Sequence, residues 1–406
     1  MEHEVTLTTF TYGGDAMGRL DDGRAVFVPF GLPGEKVRVR LIQEKKNFAR
    51  GEIVEILEPS SERIDAKCKH FGACGGCHYQ YLPYEKQLQA KTDILIDQLK
   101  RIGKIENPPV QEMIASPNPW NYRNQMQFSL DRDGKVGFQK TNSNQVIPIT
   151  ECHLPEESIN ELWPQLEFES ETNIDRVSLR VGNDEDLMLV LESKSPEPPE
   201  LEIEADISVT HVYEENTVVI AGTGHIIMNV LERNFKFSAV SFFQVNTVMA
   251  GKMVEHLFAR LPLTQNTTLL DVYCGVGLFS AFLAPKCKTV IGVESSESSC
   301  EDFTVNLDEF DNVELYEGAA EVVIPHLEVK PDIVLFDPPR AGLDKTVIDG
   351  IVKLNPSLIA YVSCDPSTLA RDTARLIKGG YKLKEVTPFD LFPQTYHIES
   401  VSIFEY

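Results

Sequence analysis

Residues 358–380 constrain the fold more tightly than any other stretch of this chain. They open with Leu-Ile-Ala-Tyr-Val-Ser-Cys-Asp-Pro and continue with Ser-Thr-Leu-Ala-Arg-Asp. Leu358 to Val362 is a short apolar run of the kind that forms a strand buried on both faces of a parallel sheet. Pro366 suits the first turn of a helix, and Gly379-Gly380 closes that helix at its far end. Cys364 therefore falls where a strand hands over to a helix N-terminus, the edge at which open α/β sheets bind ligands. The partial positive charge of a helix start favours a thiolate, while the neighbouring Asp365 carboxylate disfavours it.

The same texture runs from Phe242 to the end of the sequence, where strands alternate with helices as in a parallel doubly wound sheet. Asn246 caps a helix whose core face carries Met249, Met253, Leu257 and Leu261. Thr268 to Val272 reads as a strand, followed by Tyr273-Cys-Gly275-Val-Gly277, whose glycines permit a tight turn and close backbone approach to a nucleoside cofactor. Ser280 stands where a dinucleotide fingerprint would have its third glycine. Glu294 ends the next strand, where a carboxylate accepts hydrogen bonds from ribose hydroxyls. Ile333 to Phe336 leads into Asp337-Pro-Pro-Arg340, and the two prolines fix the backbone so that Asp337 and Arg340 lie beside that cleft. His397 and Glu399, two apart ahead of a last strand, share a face.

The chain has 406 residues, enough for two or three cores. Its N-terminus has neither a basic nor an apolar leader region, and no apolar run is long enough to span a bilayer, so a cytoplasmic location is expected. The net charge of −24 is an unexpected balance for a phosphate-binding protein. Much of the excess lies in residues 171–215, with 13 acids against three basic residues, read as a solvated face. Lys36, Arg38, Arg40, Lys45, Lys46 and Arg50, by contrast, crowd one span with only Glu44 among them. Residues 4–59 show short alternating strands punctuated by Gly13-Gly14, Asp22-Gly23 and Pro33-Gly34, the pattern of a small oligonucleotide-binding type of barrel. An amphipathic helix follows over 84–102, with Leu88, Ile94, Leu95 and Leu99 on its core face, and residues 110–237 read as β-rich. Cys68, Cys74 and Cys77 fall within ten residues among glycines, a metal-binding pattern. Cys152 is the natural fourth ligand, with His70, His78 and His153 as rivals, and the spacing suits either zinc or an iron–sulfur cluster.

Five motifs together resemble the RNA 5-methyluridine methyltransferases. They are Phe242-Phe-Gln-Val-Asn246, the 271–277 loop, Asp337-Pro-Pro-Arg-Ala-Gly342, Ser363-Cys-Asp-Pro-Ser-Thr-Leu-Ala-Arg-Asp372 and Phe392-Pro-Gln-Thr-Tyr-His-Ile-Glu399. The cysteine set is similar to that of the bacterial 23S ribosomal RNA (uracil-C5) branch, which carries a 4Fe-4S cluster. The resemblance implies a TRAM-like barrel of OB type over 1–60, a β-rich central iron–sulfur domain over 61–237, and a class I α/β methyltransferase domain, doubly wound and Rossmann-like, over 238–406. It implies Cys364 as nucleophile and Glu399 as general base. Gln244, Tyr273, Glu294 and Asp337 would hold S-adenosyl-L-methionine, and Cys68, Cys74, Cys77 and Cys152 the cluster. The implied partner is RNA, 23S ribosomal RNA before transfer RNA, met by a monomer with no membrane or DNA association. The chain departs from the pattern at Leu278 and Ala319, where some members place polar side chains toward the cofactor.

The chemistry fits these residues on its own terms. Carbon 5 of uracil is a poor nucleophile until a thiolate adds at carbon 6, which gives Cys364 a covalent role. The C5 proton must then leave to a base such as Glu399. A target uridine must be unpaired or flipped out, and Phe242 or Phe243 is placed to stack it. Three rival expectations remain. An exocyclic-amine methyltransferase would need no cysteine, a non-catalytic iron–sulfur RNA-binding module would not need the intact Cys364, Glu399 and Asp337 set, and an NAD-linked oxidoreductase would want the third glycine.

Overall fold

The computed structural model describes residues 2–141, 143–170, 172–202 and 204–406, and the Glu185 side chain lies outside that description. Glu171, the first residue of the acidic stretch, and Ile203 within it also fall outside. The first five strands close into a barrel in the order Glu2–Phe10, Ala16–Arg19, Ala25–Val28, Phe48–Glu58, Lys36–Glu44. Period-2 alternation sends Val5, Leu7, Val26, Val28, Val37 and Val39 inward, and closure leaves no unpaired edge. Ala16–Arg19 is a further strand, and it holds Gly18. The space explains the residue: a Cβ at Gly18 would overlap Val5 and lie 2.6 Å from the Thr6 carbonyl.

The basic cluster on this barrel is largely neutralised across its strands. Lys36 pairs with Glu4 at 2.9 Å, Arg40 with Glu52 at 3.1 Å, Arg50 with Asp15 at 3.0 Å, and Arg38 with Glu55. The sequence showed the cations in one span, while their acidic partners come from elsewhere: Glu4, Glu52 and Glu55 from neighbouring strands and Asp15 from a turn.

A seven-stranded sheet fills the middle of the chain, in the order Asn216–Ala221, Ser208–Tyr213, Leu187–Ser193, Ile174–Val181, Gln125–Leu130, Val136–Gln139, Val146–Pro148. The helix Tyr84–Arg101 precedes it in sequence, yet its buried Ile94, Leu95 and Leu99 join the core of the C-terminal sheet instead. The amphipathic stripe shows that the helix packs and does not show on what.

The C-terminal sheet has the strand order Val313–Glu317, Thr289–Glu294, Thr268–Val272, Ile333–Phe336, Leu358–Ser363, Glu399–Glu405, Lys382–Phe389. The first five run parallel, and Glu399–Glu405 is antiparallel to both of its neighbours. Each face has its own core: Leu269, Leu335 and Ala360 point to one, and Leu270, Val334 and Ile359 to the other. Strand order reverses between Thr268–Val272 and Ile333–Phe336, and a crevice opens at such a point beyond the strand ends. As the sequence led us to expect, Asn246 caps the helix Thr247–Arg260 by accepting from Met249 N at 3.2 Å, and Met249, Met253 and Leu257 are fully buried. No helix among the described residues is long and apolar enough to cross a membrane.

Candidate active site

A cleft of about 820 Å³ lies above that reversal. Its wall brings together Gln244, Tyr273, Glu294, Asp337, Cys364 and Glu399, which in sequence are spread over more than 150 positions. Arg340, His397, Leu278 and Ala319 line it as well.

One wall is the turn after Thr268–Val272. Tyr273, Gly275 and Gly277 all have positive φ, at 65°, 54° and 90°. A side chain at Gly277 would overlap Leu307 and sit 2.9 Å from Phe303, so the turn packs directly on the helix Glu297–Asn306. The Glu294 carboxylate holds this turn by accepting from Gly275 N at 3.0 Å. Its other oxygen accepts from Ser295 N and Ser296 N at 2.7 and 2.8 Å. Ser280, in the place of the third glycine, donates to the buried Asp271 at 2.6 Å.

The opposite wall carries the reactive groups. Asp337 follows the Ile333–Phe336 strand, and its N–H donates to the Val272 carbonyl at 3.2 Å, bridging the reversal. Burial pushes its carboxyl up to about 7, helped by the negative charges of Asp271 and Glu294. Glu399 begins the reversed strand, where Ser363 pairs with Ser400, so Cys364 and Glu399 emerge side by side at the same sheet edge. Burial and then Asp337 raise the Glu399 carboxyl to about 8, against the pull of Arg340 and Lys91. The Cys364 thiol is pushed up to about 12, first by burial and then by Glu399 and Asp337, with Arg340 opposing. The helix start was expected to favour the thiolate, but burial and three carboxylates outweigh it. His397 lies beside them as a neutral imidazole, driven down to about 3 by burial and nearby cations, and packed on the Tyr396 and Phe392 rings. The two phenylalanines separate cleanly. Phe243 is buried and stacks on Phe237 at 5.2 Å, while Phe242 is 67% exposed on the cleft wall.

Two supporting features escaped the sequence reading. Lys91 is fully buried and ion-paired with Asp390 at 2.6 Å, and it also donates to the Phe392 carbonyl at 3.0 Å, anchoring the segment that leads to Glu399. Its signal was present, since Lys91 stands on the apolar stripe between Leu88 and Leu95. Tyr12, from the barrel, donates to Asp365 beside Cys364 at 2.8 Å. Nothing local in the sequence marks that contact.

The four cysteines Cys68, Cys74, Cys77 and Cys152 are all free thiols. They are mutual electrostatic neighbours: Cys77 is raised to about 12 by burial and then by Cys152 and Cys74, and Cys152 to about 11 by burial and by Cys74 and Cys68. Of the rival histidines, only His70 has a ring nitrogen in a hydrogen bond among the described residues, and the His78 Nδ1 is buried without a partner. His70 accepts from Thr150 N at 3.0 Å, His153 lies 3.7 Å from Glu151, and His78 packs on Tyr396. Among the described residues no three His, Cys, Asp or Glu side chains are grouped as ligands of one metal ion. The donor set therefore has the composition for a metal cluster without a converged single-ion site. A second cavity of about 810 Å³ lies between this loop, the barrel and the central sheet, walled by Tyr12, Arg50, His78, Lys140, Arg176 and Tyr396.

A doubly wound sheet with a nucleoside-type turn, a strand-end carboxylate and a cysteine beside a carboxylate defines a group-transfer enzyme of the methyltransferase fold. The tRNA (Uracil-5-)-methyltransferase family model matches residues 223–405, and the TRAM domain model matches residues 2–54. An uncharacterized RNA methyltransferase of Halalkalibacterium halodurans is 34% identical over 99% of this chain and 96% of its own length. Another from Caldanaerobacter subterraneus is 35% identical over 100% and 98%. The crystal structure of Pyrococcus abyssi tRNA (uracil-54, C5)-methyltransferase in complex with S-adenosyl-L-homocysteine superposes with a TM-score of 0.75. It is 25% identical, over 98% of this chain and 100% of that one. The chain belongs to the RNA uracil-5-methyltransferase family, with an N-terminal TRAM domain.

Proposed function

We propose that this enzyme methylates carbon 5 of an unpaired uridine in RNA through a covalent bond between Cys364 and carbon 6. The observation that carries the reading is the convergence of Cys364, Glu399 and Asp337 at one sheet edge, facing the Glu294 turn across a single cleft. Phe242 stacks the flipped base, since it is exposed where Phe243 is core. Asp337, with its carboxyl near 7, is protonated often enough to donate to a uracil oxygen and so helps place the ring. The Cys364 thiol gives its proton to solvent and the sulfur adds to carbon 6 while the carbon 5–carbon 6 π pair moves onto the C4 carbonyl as an enolate; the Arg340 guanidinium favours the thiolate this step needs. Carbon 5 thereby becomes nucleophilic. S-adenosylmethionine supplies an electrophilic methyl group when bound, and Gln244, Tyr273, Glu294 and Asp337 would hold it. Glu399 then takes the C5 proton, the carbon 5–carbon 6 double bond re-forms, and Cys364 leaves. A carboxyl near 8 suits that task, because it is a stronger base than an ordinary carboxylate and still has about a tenth of its population ionised at pH 7.

Cys68, Cys74, Cys77 and Cys152 would hold a 4Fe-4S cluster through their thiolates. Their unpaired state, their mutual electrostatic influence and the hydrogen bond that His70 accepts from Thr150 N support this. The cysteine set favours ribosomal RNA, 23S rRNA in particular, as substrate. Transfer RNA is the second reading, favoured by the names of the matching family model and of the P. abyssi enzyme.

The Glu399→Gln variant tests both mechanism and substrate. It keeps shape and hydrogen bonding but removes the base, so incubation with total bacterial RNA and cofactor should leave a methylated RNA cross-linked to Cys364. Sequencing the trapped RNA names the substrate. Wild-type turnover by this variant would remove Glu399 from the base role, and inactivity without any adduct would overturn the order of steps.

A further inference from the structure

We propose that Tyr12, a residue of the N-terminal barrel, is a positioning residue for Cys364, acting through the Asp365 carboxylate; this rests on Cys364 being the nucleophile. Asp365 is the N-cap of the helix Pro366–Lys378. One of its oxygens accepts from Ser367 N and Thr368 N, both at 2.9 Å, as a cap should. Among the described residues the other accepts only from the Tyr12 hydroxyl, at 2.8 Å. The helix alone thus uses half of the carboxylate, and a different part of the chain fixes the remaining half.

Tyr12 is built to hold that position. It sits in a tight turn after the first strand, where Thr11 N donates to Asp15 O at 2.8 Å and Gly13 and Gly14 take φ of 106° and 93°. Its ring packs edge-on against Tyr396, with centroids 5.7 Å apart, and Tyr396 in turn packs on His397 of the cleft wall. Burial and Asp365 push the Tyr12 hydroxyl well above its ordinary range, so it stays a donor.

The consequence for Cys364 is electrostatic. Glu399 from the last strand and Asp337 from the Asp-Pro-Pro-Arg loop, when ionised, and Asp365 on its own element each disfavour the thiolate, and Arg340 opposes them. Tyr361 also lies near the sulfur, with its hydroxyl donating to Asp372 at 3.1 Å, and Arg371 lies near Asp365. Of the three carboxylates, Asp365 is adjacent in sequence and the one whose charge a neutral donor draws away from the sulfur. Losing the Tyr12 hydroxyl returns that charge and makes the thiolate harder to form.

The test measures the thiol directly. Full-length protein is alkylated with iodoacetamide across a series of pH values, and the Cys364 peptide is quantified by mass spectrometry. At a fixed alkaline pH, Tyr12→Phe should slow alkylation of Cys364 about threefold to tenfold, as expected for loss of a hydrogen bond to a charged group one residue away. Asp365→Asn keeps a competent cap and should speed it, and Tyr12→Phe should then change nothing further in that background. An unchanged profile in Tyr12→Phe overturns the proposal. So does a slowing that persists in the Asp365→Asn background, or a loss confined to thermal stability and RNA affinity, since either outcome makes Tyr12 a docking contact. Absence of any RNA adduct in the Glu399→Gln trap would remove Cys364 as nucleophile, and this proposal with it.

Discussion

The cleft and the cysteine loop both gather reactive side chains, but they hold them differently. Glu294, Asp337, Cys364 and Glu399 each stand at or just beyond the end of a strand in one sheet. Strand register therefore sets their mutual positions before any ligand arrives, as preorganised catalysis requires. Cys68, Cys74 and Cys77 lie on a run of turns, and Cys152 lies on a separate loop. A few bonds tie them in, such as Cys68 N to Gln80 at 2.9 Å and Lys69 N to Glu151 at 2.7 Å. Under the proposed cluster, loop thiols of this kind would take their final arrangement together with the metal, so its binding and local stability would be one process.

That contrast makes predictions that differ in size. The largest effect belongs to Cys364→Ala, which should lower methylation to below about a thousandth of wild type and give no adduct. Retained RNA affinity would show the effect to be chemical. Next, Cys152→Ser should reduce iron in anaerobically purified protein from about four per chain to near none, and lower the unfolding midpoint. S-adenosylmethionine affinity should stay within about twofold of wild type. Joint loss of iron and cofactor binding would erase the distinction drawn between the two regions, and stoichiometric zinc in place of iron would refute the cluster.

A smaller change is expected at Glu294. Its removal should weaken S-adenosylmethionine binding about ten- to a hundredfold by calorimetry, the cost of roughly 1.5–3 kcal/mol of hydrogen bonding to a charged group. Undiminished affinity would exclude the ribose contact. Smallest is a pH effect. Glu399 is raised from 4.5 to about 8 in the folded chain, so the folded state binds more protons than the unfolded one across that window. The stability from this group is complete below about pH 4.5 and is lost as the pH rises through 8. Thermal midpoints should fall between pH 5 and pH 8, and Glu399→Gln should lessen that fall by about 2 °C. Parallel curves for the two proteins would mean the carboxyl is not held protonated.

The sequence disclosed what local pattern controls. The handover at Cys364, the Tyr273–Gly277 turn, the Asp337 loop and the methionine stripe after Asn246 each follow from a strand, a glycine or a cap within a few residues. What it concealed depends on pairing between distant segments. The period-2 argument put His397 and Glu399 on one face, and both line the cleft, but the reversed strand inserted between Leu358–Ser363 and Lys382–Phe389 has no local signature. Phe242 and Phe243 were indistinguishable until Phe237 was known to cover one of them. The basic cluster promised a cationic surface because its acidic partners lie on other strands and in a turn.

The segment leading to Glu399 has a further meaning for how the chain folds. Lys91 reaches Asp390 across 299 positions, Gln87 reaches Gln394 across 307, and Tyr122 reaches Pro393 across 271. Contacts this far apart carry a large loop-closure cost and form late, whereas the barrel and each hairpin close over short separations. The cleft should thus be among the last parts to mature. A folding intermediate would carry a formed barrel and sheet with Lys91 and Asp390 still hydrated and apart, and catalytic competence would lag behind the recovery of secondary structure.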